Sequence, residues 1–542
     1  MSVLQLLTEH WLPVLRRSGL RSTIAPSDIT DGYDTDPVMA LDWPRPDFCV
    51  AGLELLTGLL ATGYPPDGGR DWLDRWEQPP KSDALADAFA PLAAAFALDG
   101  DGPRFMQDCE ELVSEAEPVE QLLIEAPGAS TRSKNTDLLV RRGRVSTLGR
   151  AAAAMALYTF QSWAPAGGAG NRTGLRGGGP LVTLVLPGAR PTLWQTLWAN
   201  VPDGMAAEAD KMALIFPWLA PTRTSKEGRV VTPGREAHPL QCWWGMPRRI
   251  RLDFSVLDKP QRCGLTGVPD DVAVSTWRQR PHGPNYAAWG GVHPLSPTYQ
   301  QKPGTERLAV HPQPGGIGYR HWLGLVLKDG TGLRQPAPSM TAWRDDRQPD
   351  VRAEVRFLAA GFDMDNMKSR GFVESIMPLP SGRDREAQTR LDALARRLVL
   401  SAEAVAAMLR SAVRFALFSA GATVRDTELL SVVRERLWEA TEPAFFAALA
   451  GNPVADDDTV ERAWHGLLRM TALGLFDEVA PMDPDVPPLV RQGETVPRLV
   501  RARRSLSFGL RGFGKDGQAL FDILGLPAAQ PRQAKQKKGA VP

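Results

Sequence analysis

This 542-residue chain has few cysteines, no long apolar run and almost no net charge. Its four cysteines, Cys49, Cys109, Cys242 and Cys263, lie far apart with no C-x-x-C pair. That argues against a disulfide framework or a zinc ribbon and for reduced, buried thiols. No stretch approaches the roughly 18 consecutive apolar residues of a membrane span. The opening residues break at His10 and Trp11 before a signal peptide is complete. A cytoplasmic protein with no membrane partner is expected. Catalytic constellations are missing too. The seven histidines (His10, His238, His282, His293, His311, His321, His465) form no H-x-H or H-E-x-x-H pattern and no G-x-S-x-G elbow occurs, so neither a metal nor a cofactor is signalled. With a net charge of +1, attraction to a polyanion must come from a local patch.

What is present is an ordinary globular composition, 43% hydrophobic and 23% charged, enough for a large core in more than one folding unit. Residues 1–375 are rich in Pro, Gly and Trp. Short apolar runs such as Leu181–Leu186 end in turn signals such as Pro187-Gly188, and Val50–Leu60 and Ala151–Phe160 have helical spacing. This predicts a large, irregular mixed α/β domain. Residues 376–525 turn helical. Arg385–Leu417 carries Leu391, Leu394, Leu398, Val405, Met408 and Leu409 on one stripe and closes at Gly421. A second helix opens at Asp426 and closes near Gly451; a third is capped by Asp457 or Asp458; a fourth runs from Pro497 to about Phe508. Short connections predict an antiparallel four-helix bundle, and the fold class is α+β. Residues 526–542, with Arg532, Lys535, Lys537 and Lys538, read as a basic disordered tail.

The segment from Ala164 to Pro180 holds seven glycines in seventeen residues, with Arg172 and Arg176 and no acid. Two readings fit: main chain laid close to phosphates or groove edges, or a packing turn. A Rossmann fingerprint fails, because Thr173 stands where its third glycine belongs. Gly509–Asp516 fits G-x-x-x-x-G-K but ends in Asp516, where a P-loop needs a hydroxyl. Ser130–Arg144 mixes basic and small polar residues, as a solvated loop or one against a nucleic-acid backbone would. Trp243-Trp244 with Arg248, Arg249 and Arg251 is a basic–aromatic cluster whose tryptophans suit a core better than a stacking platform.

Taken together, these segments resemble the CasA family, the large subunits of type I-E CRISPR Cascade complexes. The resemblance rests on Leu6–Val14, Phe105-Met106-Gln107-Asp108, Leu123–Gly128 with Asn135–Leu138, Gly174-Leu175-Arg176-Gly177-Gly178, and Gly361–Lys368, in that order along the chain. It implies a non-enzymatic protein, without cofactor, that joins crRNA and the other Cascade subunits. The family tests double-stranded target DNA for a short protospacer-adjacent motif (PAM) and helps recruit a helicase–nuclease. By position, the PAM loop is Gly167, Gly168, Ala169, Gly170 and Asn171, with Arg278 or Arg280 beside it. The DNA-opening wedge is Asp365, Asn366 and Met367, where some members carry a glutamine. Lys302 is a backbone contact. Arg132, Lys134, Asn135, Leu139, Arg141 and Arg142 form the loop toward crRNA and a neighbouring subunit. Some relatives bind zinc through two C-x-x-C pairs; the corresponding stretches here hold one cysteine, Cys263, so no metal is expected. The alternative from another class is a nucleotide- or phosphate-using enzyme built on the glycine loop.

Overall fold

The computed structural model describes residues 3–137, 141–168, 170–351, 354–365, 367–418, 428–451, 459–480, 489–491 and 494–527. The chain divides into two compact units, Met1–Ile317 with Gly324–Leu379, and Gly318–Leu323 with Pro380–Pro542.

In the first unit, β1 (Leu12–Arg16) is the middle strand of an antiparallel sheet, between β2 (Arg21–Ile24) and β3 (Val38–Leu41). Helix α1 (Pro46–Gly63) starts on a proline, whose missing N–H costs nothing there. It packs on α2 (Arg150–Trp163), in which every residue from Ala152 onward is buried. Such a helix is buried all round, largely Ala and aromatic, with Thr159 and Gln161 bonded within the core. Strand β4 (Val182–Pro187) is apolar without alternation because both of its faces are covered. It pairs with β7 (Val355–Asp365), and β7 pairs over ten positions with β8 (Lys368–Pro378). Between them in sequence, β5 (Arg249–Arg262) and β6 (Pro269–Arg280) form a second long hairpin, and β6 also pairs with Glu117–Pro118 and Leu148–Gly149. Trp243 and Trp244 are core residues. Cys242 and Cys263 are buried and Cys49 is half-buried, but Cys109 is exposed, because the chain turns out to solvent after the buried pair Gln107-Asp108. Among the described residues no helix is long and apolar enough to cross a membrane.

The second unit is helical: α3 (Arg385–Leu417), α4 (Glu428–Ala450), α5 (Thr459–Val479), α6 (Arg498–Gly509) and α7 (Gly514–Leu524). Cross-helix pairs fix their directions. Arg397 meets Glu461 and Leu398 meets Trp464, so α3 and α5 run parallel. Arg436 meets Glu478, which turns α4 against α5. Asp477 meets Arg503 and His465 meets Leu510, which turns α6 against α5. The bundle is therefore up-down-up-down, with α7 as a fifth helix that apolar periodicity did not mark. The predicted closures and caps at Gly421, Asp426, Asp457 and Asp458, and the tail beyond residue 527, lie outside the described residues. The P-loop-like stretch is the α6–α7 turn. Its Gly512 (φ 86°) lies against Phe521, where a Cβ would come within 2.9 Å of the ring. Helix–turn–helix is not the strand–loop–helix that a phosphate cradle needs.

Candidate nucleic-acid interface

Helix α2 ends at Trp163, and the chain leaves it for a loop that closes where the Gly179 N–H donates to Trp163 O (2.7 Å). Glycine is needed at this neck for space: a Cβ on Gly178 would lie 2.6 Å from Pro165 Cα, and one on Gly174 2.7 Å from Ser162 O. Further out the reason changes. Gly168 (φ 67°) has nothing within 4 Å of where a Cβ would be, and its carbonyl accepts from the Asn171 N–H (2.7 Å). Gly167 N–H donates to Asn171 O (3.1 Å), and Gly170 O (φ 81°) accepts from the His282 N–H (3.0 Å). The neck is a packing turn, whereas at the tip Gly168 presents main chain to solvent and Gly170, half-buried, packs on His282, which a Cβ would approach to 2.9 Å. Ala169 lies outside the described residues.

The two arginines of the segment are not alike. Arg172 is half-buried, with Nε 3.3 Å from Ser225 Oγ. Arg176 does not flank the tip as a phosphate ligand, because it is buried. Its Nη2 lies 2.5 Å from Glu54 Oε1 on α1 and its Nη1 3.1 Å from Ser296 Oγ. Glu54 also accepts from Trp163 Nε1 (3.1 Å), and His293 Nε2 lies 3.4 Å away. Burial pushes Glu54 up, but the Arg176 guanidinium overrides it and holds the carboxyl down to about 2. Burial, helped by the same cation, pulls His293 down to about 4.

Both candidates for the basic companion stand at the end of β6. Arg278 is committed to Asp253 Oδ1 (3.2 Å) and Ser114 O (2.5 Å). Arg280 is exposed, bonds among the described residues only to the Val113 carbonyl (3.0 and 3.2 Å), and stands two residues before His282, which holds Gly170. Two residues that sequence reasoning did not single out also meet the loop. One is His282 (φ 65°). The other is Arg248, buried beneath the loop, with Nε 2.6 Å from Arg172 O and Nη2 on Pro165 O. Only the basic–aromatic cluster around Trp243 hinted at the second.

The hairpin of β7 and β8 rises from the same base. Trp163 stacks on Phe372 (5.9 Å, 16°) and meets Phe362 edge-on (6.1 Å). A Cβ on Gly179 would lie 2.7 Å from Phe362 O, and one on Gly361 2.6 Å from Pro180 O. Toward the tip, Arg370 holds Asp363 through two bonds (2.6 and 3.0 Å), with Asp365 3.8 Å away. Pairing ends at Asp365 with Lys368. Between them Met367 has φ 63° and is 53% exposed; Asn366 lies outside the described residues.

Lys302 stands elsewhere, in an exposed turn closed by Thr305. In the loop after residue 128, Arg132 pairs with Glu117 (3.1 Å), while Arg142 pairs with Asp137 and reaches Asn135 Oδ1 (3.2 Å). Among the described residues neither Lys134 nor Arg141 has an ion-pair partner, and both are exposed. Leu139 lies outside them. No group of three or more metal-type side chains occurs among the described residues. Near Cys263, Arg150 pairs with Asp270 (3.0 Å) and Asp271 (2.8 Å).

Among solved structures, the chain is similar to CasA of Thermus thermophilus (17% identity, 97% of this chain and all of that one, TM-score 0.66). It is also similar to Cse1 of Acidimicrobium ferrooxidans (19%, 97% and 99%, 0.62). A third match is a chain of a CRISPR RNA-guided surveillance complex (17%, 94% and 100%, 0.64). At such identities these likenesses establish the fold. The family model for CRISPR-associated protein Cse1 matches residues 5–475, and on that match the chain belongs to the Cse1 family, whose members are also called CasA.

Proposed function

We propose that this chain is the non-catalytic large subunit of an RNA-guided DNA surveillance complex. In this reading it tests duplex DNA for a PAM through the minor groove, and its hairpin tip parts the neighbouring base pairs so that the guide can begin pairing. The observation that carries the reading is the common base of the two segments: the glycine neck and the hairpin stem meet at Trp163, Gly179, Phe362 and Phe372. An element suited to a narrow groove and an element suited to a base step therefore grow from one packed support. Main chain at Gly168 can approach base edges that a side chain would hold away, with Gly170 held against His282 behind it. The minor-groove code is degenerate, so several related motifs should be accepted. Arg280 supplies the adjacent cation. Met367, unbranched and exposed, can enter a base step. The likeness to a chain of an RNA-guided complex supports crRNA and neighbouring subunits as partners, with Lys134 and Arg141 as the unpaired cations offered to them. Lys302 serves the DNA backbone, and cleavage falls to a separate helicase–nuclease.

The test is Gly168→Asp in the reconstituted complex. The site is open, so the substitution brings a carboxylate to the tip without a clash, and Gly168→Ala is the control for the strain that φ 67° places on any L-residue there. Affinity for PAM-bearing duplex should fall by at least about tenfold, and by more than for a PAM-scrambled one, because the side chain holds the main chain off the base edges in addition to repelling the phosphates. Unchanged affinity would end the reading.

A further inference from the structure

We infer that Arg248 is the positioning residue of the glycine segment, a buried guanidinium that holds both arms of the loop in the shape it presents to the duplex. The inference rests on the reading of that segment as the duplex-contacting element.

The arms are joined at one side chain. Arg248 Nε donates to Arg172 O (2.6 Å) on the outgoing arm and Nη2 donates to Pro165 O on the incoming one. Its Nη1 lies under Gly167, where a Cβ would approach it to 2.8 Å. The guanidinium also covers the face of Phe160 (5.3 Å to the ring centre). Its own position is fixed from behind. Gln161, fully buried on α2, accepts from the Arg248 N–H (3.0 Å) and donates to the Arg248 carbonyl (3.0 Å). The second hairpin, through His282, holds the third point of the loop at Gly170.

Charge sets Arg248 apart from its neighbours. Arg176 is matched by Glu54 and Arg249 by Asp108 and Glu110. Among the described residues no carboxylate meets Arg248. Burial pulls its guanidinium down to about 10, so it stays charged at neutral pH. A buried cation without a counter-charge is costly, and a neutral amide could satisfy a carbonyl at lower cost. Two carbonyls on separate arms need the planar fork of arginine. Bonding both also turns their oxygens inward, away from the phosphates that the loop is to meet, and leaves a positive charge beneath it.

The test uses the reconstituted complex with Arg248→Lys, which keeps the charge but lacks the fork, and Arg248→Met, which keeps only the stem. Affinities are measured for a PAM-bearing duplex and a PAM-scrambled one, alongside hydrogen exchange at the loop amides. Both variants should speed exchange at Gly167 and Asn171. Both should also lower affinity for the PAM-bearing duplex by about tenfold, the scale of losing one charged hydrogen bond, while the scrambled duplex changes less than about twofold. A role confined to general packing would weaken both duplexes alike, and that result would overturn the inference. Should Arg248→Met fail to fold, Arg248→Lys carries the test. Gly168→Asp in the same assay separates the two proposals. If it abolishes discrimination and the Arg248 variants do not, the positioning role alone is lost; if it leaves discrimination intact, the reading of the loop is lost.

Discussion

The glycine segment and the hairpin of β7 and β8 stand on the same packed base but are held in opposite ways. The hairpin specifies itself. Ten cross-strand positions, the bidentate pair between Arg370 and Asp363, and the Phe362–Phe372 contact all lie within its own two strands. The glycine segment has no such ladder. Its shape comes from groups distant in sequence: Glu54 through Arg176, Arg248, and His282. A strip of main chain stripped of side chains gains access to narrow spaces and loses the means to hold itself. The information that shapes it must then be stored in buried polar groups underneath.

If that contrast is right, the most damaging single change to the glycine segment should lie on a helix it does not belong to. Glu54→Ala leaves Arg176 a buried cation without its partner and Trp163 Nε1 without an acceptor. The expected loss is about 3–5 kcal/mol of unfolding free energy, read by urea denaturation. Exchange at the loop amides should rise more than at the amides pairing β7 with β8. The double change Glu54→Met with Arg176→Met removes both charges and should cost less than Glu54→Ala alone. A double variant as damaged as the single one would place the value of the pair in its volume, and the contrast would fail.

Acid offers a gentler probe of the same support. His293 is held neutral, its pKa pulled from 6.5 to about 4 by burial and by Arg176. Once unfolded it takes up a proton between those values, so the unfolded state binds more protons and stability falls as pH falls from 6.5 to 4. The contribution is at most about 3–4 kcal/mol, at roughly 1.4 kcal/mol per unit. Glu54, held at about 2, extends the loss below its ordinary 4.5. Unfolding measured across this range should show the upper window flattened by His293→Gln and the lower one narrowed but retained, because Arg176 still holds Glu54 down after the His293 contact is lost.

How much of this was legible depends on where the information lies. Periodicity marked Arg385–Leu417 to the residue, because an amphipathic helix repeats its apolar stripe locally. It missed Gly514–Leu524, whose opening glycines read as a loop. The α+β class and the apolar run Leu181–Leu186, most of which became β4, followed from local signals as well. The site was legible in outline only. Seven glycines announced a loop that must come close to something, but nothing local distinguished Gly178, which packs, from Gly168, which is open. Arg172 and Arg176 looked equivalent in sequence, yet one is at the surface of the loop and the other is buried against Glu54, 122 positions away. Arg248 and His282 contribute through one side chain and one backbone amide; Arg248 showed only as one of three arginines beside Trp243-Trp244, and His282 left no pattern in a single sequence.

The smallest effect on stability should fall at the hairpin tip, the proposed wedge. Met367 is half exposed and takes φ 63°, a backbone region that an unbranched L-residue occupies at a cost of order 1 kcal/mol. The ladder below it supplies the constraint that maintains this geometry, so Met367→Ala should change unfolding free energy by less than about 0.5 kcal/mol. Its expected consequence is kinetic. A lost wedge leaves one stacking step, roughly 1.4 kcal/mol, uncompensated, which slows strand opening about tenfold. The glycine segment is untouched, so affinity for a PAM-bearing duplex that cannot open, such as one with cross-linked strands, should stay the same. Opening followed by a fluorescent base beside the PAM, with binding measured in parallel, separates the two steps. Equal losses in both would show that the tip helps to hold the duplex as well as to part it, and the division of labour between the two segments would have to be withdrawn.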